Sequence, residues 1–108
     1  MHLSDLTHRA MELRARFSAH EIQQAGRPWT REEVALGFVG DVGDLMKLVM
    51  AKQGLRATQG DVDERLAHEL SDCLWSVLVL AELYHVDLEA AFLRTMSEIE
   101  AQFPRQNG

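Results

Sequence analysis

Glu69-Leu70-Ser71-Asp72-Cys73-Leu74-Trp75-Ser76-Val77-Leu78-Val79-Leu80-Ala81 is the stretch on which the fold turns. From Cys73 onward it is apolar nearly all round at helical spacing, the pattern of a helix buried on several sides. Before Cys73 it carries Glu69 and Asp72, three residues apart, which a helix places on one face about a turn apart. A helix of this kind in so short a chain calls for cover from a second subunit as well as from its own neighbours.

A second acidic patch, Gly40-Asp41-Val42-Gly43-Asp44, repeats the spacing inside another apolar helical stretch. Asp41, Asp44, Glu69 and Asp72 can then converge from two facing helices. Four carboxylates among apolar residues repel one another and need protons or a cation. Mg²⁺, with Mn²⁺ as a substitute, is the natural ion, because it binds a few carboxylates and keeps positions for water and phosphate oxygens. The plainer alternative is two solvated faces of amphipathic helices. Gly37, Gly40 and Gly43 form a small-residue ridge beside Asp41 and Asp44, open to two compatible readings: tight helix packing, or room for a substrate.

Working outward, the punctuation predicts four helices. The first runs from about Ser4 to Ala25 with Ser4 or Asp5 as cap, and Gly26-Arg27-Pro28 ends it. The second opens on Thr30, with Glu33 at capping-box spacing and Trp29 placed to staple against Val34, and stops at about Gln53 before Gly54. The third starts behind Asp61 and reaches about Tyr84, and the fourth is capped by Asp87 and extends to Phe103. No period-two strand pattern occurs, so the class is all-α, a four-helix bundle-like protomer with its core over about 4–104 and a flexible tail at 105–108.

One domain is what 108 residues allow. The net charge of -6, with 11 Lys and Arg scattered along the chain, argues against nucleic acid or an anionic membrane as partner. The single cysteine, Cys73, precludes an internal disulfide and fits a small buried hydrophobe in a reducing compartment, so a cytoplasmic protein is expected. The longest unbroken apolar run, Val77 to Ala81, is too short to span a membrane. No Gly-rich phosphate loop, HExxH, CxxC or GxSxG is present, which leaves metal-assisted phosphate chemistry: the ion polarises a phosphoryl group and acidifies a water, and one of the four acids can act as base.

The stretches Gly40-Asp41-Val42-Gly43-Asp44-Leu45, Glu69-Leu70-Ser71-Asp72-Cys73-Leu74 and His85-Val86-Asp87-Leu88-Glu89-Ala90-Ala91 together resemble the MazG-like, all-α nucleotide pyrophosphohydrolases, over roughly Trp29 to Pro104. That resemblance implies a house-cleaning enzyme in which Asp41, Asp44, Glu69 and Asp72 are the metal and catalytic set. A nucleoside triphosphate is then cut between its α and β phosphates to give monophosphate and pyrophosphate, and the protein associates as a homodimer or homotetramer. Trp29 is the candidate to stack on a base, and Arg94 is a candidate substrate contact. The chain departs from the family's EExxE motif: Gly40 stands at the first glutamate, and Asp41 and Asp44, one methylene shorter, at the others. The helix-four KxxxNxxR positions read Thr95, Ile99 and Gln102. Two further readings fit these departures: a helical dimer without catalysis that senses nucleotides or binds proteins, and a single-metal enzyme acting on a smaller phosphate ester.

Overall fold

The computed structural model describes residues 2–103, and every regular element among them is a helix: α1 Leu3–Ala25, α2 Arg31–Lys52, α3 Val62–Leu83 and α4 Leu88–Glu100. No helix is long and apolar enough to cross a membrane among these residues. The 105–108 tail expected to be flexible lies outside the described residues.

Local chemistry accounts for most of the boundaries. Thr30 Oγ1 accepts the Glu33 N–H while the Glu33 carboxylate accepts the Thr30 N–H, so the capping box of α2 forms. Asp61 and Asp87 accept from the first-turn amides of α3 and α4. Helix α1 starts earlier than the Ser4 or Asp5 cap predicts. His2 occupies the cap position, and Asp5, three residues on, accepts the His2 N–H at 2.9 Å. Helix α4 also ends sooner than expected, at Glu100, with residues 101–103 in a turn. Aspartate at 87 starts that helix firmly, but little packs against its far end.

Helices α2 and α3 end in the same way on different residues. After α2 the Leu55 N–H donates back to the Met50 carbonyl at 2.9 Å, with Gly54 at φ 76°. After α3 the Val86 N–H donates to the Ala81 carbonyl at 2.8 Å, but the left-handed position is held by His85 at φ 56°. Glycine meets no Cβ penalty there; histidine does.

Helix α3 is the axis of the fold, with α1 and α2 packed on it. Ala10 from α1, Val34 from α2, and Leu78 and Val79 from α3 form the buried centre, with Trp75, Leu83 and Leu88 packed against it. Complete burial of the Val34 and Val79 side chains contributes roughly 1.5–3 kcal/mol apiece. Only the first residue of α4 reaches this centre; Phe92, Leu93, Ile99 and Phe103 are exposed.

The chain is therefore open in shape. Its Cα radius of gyration is 17.6 Å, against about 13 Å for a compact chain of this length. Its accessible surface is 8519 Å², against about 6,000 Å² for a compact monomer of this mass. Much of the excess is apolar: Leu36, Val39 and Met46 recur at intervals of three and seven on one side of α2, each more than half exposed.

Candidate functional site

The acids sit in register with the core. Asp41 lies seven residues after buried Val34 and seven before buried Leu48, so the inner face of α2 carries it toward α3. Asp72 likewise precedes buried Ser76 and Val79 by four and seven residues on α3. The packing that buries the valines thus also turns the carboxylates inward.

Asp41, Asp44 and Glu69 each present an oxygen such that all three atoms lie within 4.8 Å of one another. His68, Glu69 and Asp72 form a second group on the same criterion, so Glu69 belongs to both. Nε2 of His68 is 3.2 Å from Asp72 Oδ2. Opposite oxygens around a Mg²⁺ ion are about 4.2 Å apart, a separation that falls within the 4.8 Å limit each group meets.

Burial raises the Glu69 carboxyl above its ordinary value, with Asp72, Asp41 and Asp44 adding repulsion. Asp41 is raised for the same reasons, burial first, then Asp72 and Asp44. Glu69 Oε2 is also buried without a hydrogen-bond partner, an arrangement that costs at least about 1–3 kcal/mol if nothing compensates it. The donor set fits Mg²⁺ or Mn²⁺: hard carboxylate oxygens, mutually repelling, one of them unpaired. Cys73 lies beside this cluster, and its thiol is pushed up by burial and then by Asp41, Glu69 and Asp72, so it is kept protonated and unsuited to attack.

Two cavities flank the acids. One, of about 740 Å³, is lined by Leu13, Phe17, Trp29 and Trp75 and has Asp41 and Asp72 in its wall. The other, of about 420 Å³, is lined by Lys47, Arg56 and Arg65 with Thr58, and has Asp44 and Glu69 in its wall. The four carboxylates therefore stand between an aromatic chamber and a cationic one.

The aromatic chamber is held from several sides. Phe17 and Trp75 meet edge to face, 5.7 Å between centroids at 79°, and Trp75 Nε1 donates to the Ala10 carbonyl at 3.2 Å. The Trp29 backbone is fastened to α1: its N–H donates to Glu21 at 2.8 Å, and Arg14 donates to its carbonyl at 3.0 Å. Its ring edge lies 3.5 Å from where a Cβ on Gly37 would stand. Within the glycine ridge, then, Gly37 meets Trp29, while a Cβ at Gly40 or Gly43 would face open space among the described residues.

Asp41, Asp44 and Glu69 are thus brought together, Asp72 adjoins Glu69, and Trp29 shares a cavity with Asp41 and Asp72. Arg94 is not: it is exposed on α4 and lines neither chamber. Several neighbours of the acids went unrecognised in the sequence. His68 was detectable from its four-residue spacing to Asp72. Phe17, Trp75, Arg56 and Arg65 carry no such signal, because they come from α1, the middle of α3, the linker between α2 and α3, and the first turns of α3. In comparisons with family models, curated proteins and solved structures, no match to this chain is found.

Proposed function

We propose that the protein is a Mg²⁺-dependent nucleotide pyrophosphohydrolase of MazG-like type, converting a nucleoside triphosphate to its monophosphate and pyrophosphate. The observation that carries this reading is the unpartnered, buried Glu69 Oε2 within a convergent set of acids, at the edge of an aromatic chamber large enough for a nucleoside. In this reading Asp41, Asp44, Glu69 and Asp72 hold the ion. When bound it supplies charge neutralisation and polarises the phosphoryl oxygens.

The chain's own groups do the rest. Trp29, Phe17 and Trp75 offer ring faces and edges to a base, so the ribose and α phosphate fall beside Asp41 and Asp72. One carboxylate of the four takes a proton from the attacking water. The water oxygen bonds to the α phosphorus, the bond to the α–β bridging oxygen breaks, and that oxygen leaves with pyrophosphate and the electron pair. The apolar walls of the chamber shield one side of the reacting phosphate from bulk water.

The same reading makes the working form an oligomer. The open shape and the exposed Leu36, Val39 and Met46 on α2 favour a second copy that covers this face. A homodimer, or a homotetramer of paired dimers, is the expected assembly.

The deciding experiment incubates the protein with a panel of canonical and modified nucleoside triphosphates and Mg²⁺ or Mn²⁺, and measures pyrophosphate. Release of pyrophosphate together with monophosphate supports the reading. No turnover on the whole panel, with no shift of the melting temperature by either metal, favours the non-catalytic helical dimer instead.

A further inference from the structure

We infer that the chamber lined by Lys47, Arg56 and Arg65 is a binding site for the terminal diphosphate of a bound nucleotide. The inference rests on the reading above, but a different set of residues carries it. Three cations from separate places in the chain meet there: Lys47 on α2, Arg56 in the 53–61 linker and Arg65 in the first turns of α3. A surface of scattered charge in a chain with net charge -6 gives no reason for such a meeting.

Two of the three cations are not consumed by partners. Lys47 reaches only Asp44, at 4.0 Å, and Arg56 forms no ion pair or side-chain hydrogen bond among the described residues. The nearby Lys52, by contrast, is closed against Asp63 at 2.6 Å and does not line the chamber. Arg65 has a second duty. Its Nη1 donates to Thr58 Oγ1 at 3.0 Å and to the Gln59 carbonyl at 2.7 Å, which pins the linker and so sets where Arg56 stands.

Polarity sets the direction of the ligand. A nucleoside seated among Trp29, Phe17 and Trp75 has the acids on one side of it, and the cationic chamber begins where Asp44 and Glu69 end. A triphosphate tail that passes the acids therefore runs toward the three cations. Neutralisation of the acids by a divalent ion removes the only negative groups in that wall, so diphosphate binding there depends on the metal.

The test uses the full chain with Mg²⁺, calorimetric titration of inorganic pyrophosphate, a non-hydrolysable nucleoside triphosphate analogue and the matching monophosphate, a separate hydrolysis assay on the parent triphosphate, and the exposed-residue variants Arg56→Ala, Lys47→Ala and Arg56→Lys. Charge-assisted contacts of this kind predict about a 10-fold or greater loss of pyrophosphate and triphosphate affinity in each alanine variant. Arg56→Lys should recover part of that loss, and monophosphate binding should stay unchanged. Undiminished affinity in the Arg56→Ala, Lys47→Ala double variant overturns the inference even if hydrolysis is found. Loss confined to free pyrophosphate, with triphosphate binding intact, also overturns it. Metal-dependent triphosphate binding that falls in these variants without any turnover supports the chamber while rejecting the hydrolase.

Discussion

Glu69 on α3 brings a carboxylate oxygen within 4.8 Å of one on Asp41 of α2, although burial and mutual repulsion raise both acids. A fold that holds like charges together against their repulsion is less stable for it without the ion. Replacing the buried charge should then separate stability from function. Glu69→Gln is expected to raise the melting temperature of the metal-free protein, to remove the stabilisation by Mg²⁺ or Mn²⁺, and to lower pyrophosphate release at least about 100-fold. Thermal melts with and without metal, run beside the hydrolysis assay, check all three.

Trp29 borders the aromatic chamber on a segment bonded to α1, so its ring can contribute to nucleotide binding without carrying the core. Stacking on a base is worth about 1–3 kcal/mol. Trp29→Ala should therefore raise KM about 10-fold or more with a smaller change in kcat. Equal KM in the two proteins would assign Trp29 to packing alone.

His85 occupies a left-handed position at the end of α3 that Gly54 occupies at the end of α2. His85→Gly removes a Cβ penalty of about 1 kcal/mol, partly offset by the greater freedom of glycine in the unfolded chain. A melting temperature higher by a few degrees, with turnover unchanged, is the expected outcome.

The amino end of α2 gives a pH signature. Arg27 and the Thr30 cap lower the Glu33 carboxyl to about 2, the Arg27 hydrogen bond being the larger cause. A depressed acid stabilises the fold above its unfolded value, and that contribution disappears as pH falls through the folded one. Acid melts of the native protein should thus lose stability between about pH 4.5 and 2, and Glu33→Gln should flatten that part of the profile. Thr30→Ala should cost about 1 kcal/mol through the lost cap.

Leu36 and Val39 are 70% and 66% exposed on one side of α2. If a second copy covers them, Leu36→Glu or Val39→Asp should yield a smaller species in sedimentation, with reduced helical content at low concentration. An unchanged sedimentation coefficient would place any interface elsewhere.

Much of the architecture was legible because it is set by neighbours in the chain. Thr30 with Glu33, Asp61 and Asp87 mark helix starts by satisfying amides within three residues, and Gly54 marks a stop. The pairing of Asp41 with Asp44, and of Glu69 with Asp72, follows equally from helical pitch. The His2 cap was missed, since histidine at that place has weaker capping preference than the serine and aspartate that follow it. Arg94 stands apart from both cavities, because α4 joins the core only at Leu88, a matter of packing that no local spacing encodes.

By itself the sequence determined four helices, three of their amino-terminal caps, and the placing of each acid pair on one helix face, because each depends on contacts a few residues long. Tertiary structure alone decided that the pairs meet, that Glu69 loses water on one oxygen, and that aromatic rings gather on one side of the acids and cations on the other. Those outcomes depend on how α1, α3 and the linker approach one another across distant parts of the chain, where burial of apolar faces, rather than helical pitch, sets the geometry.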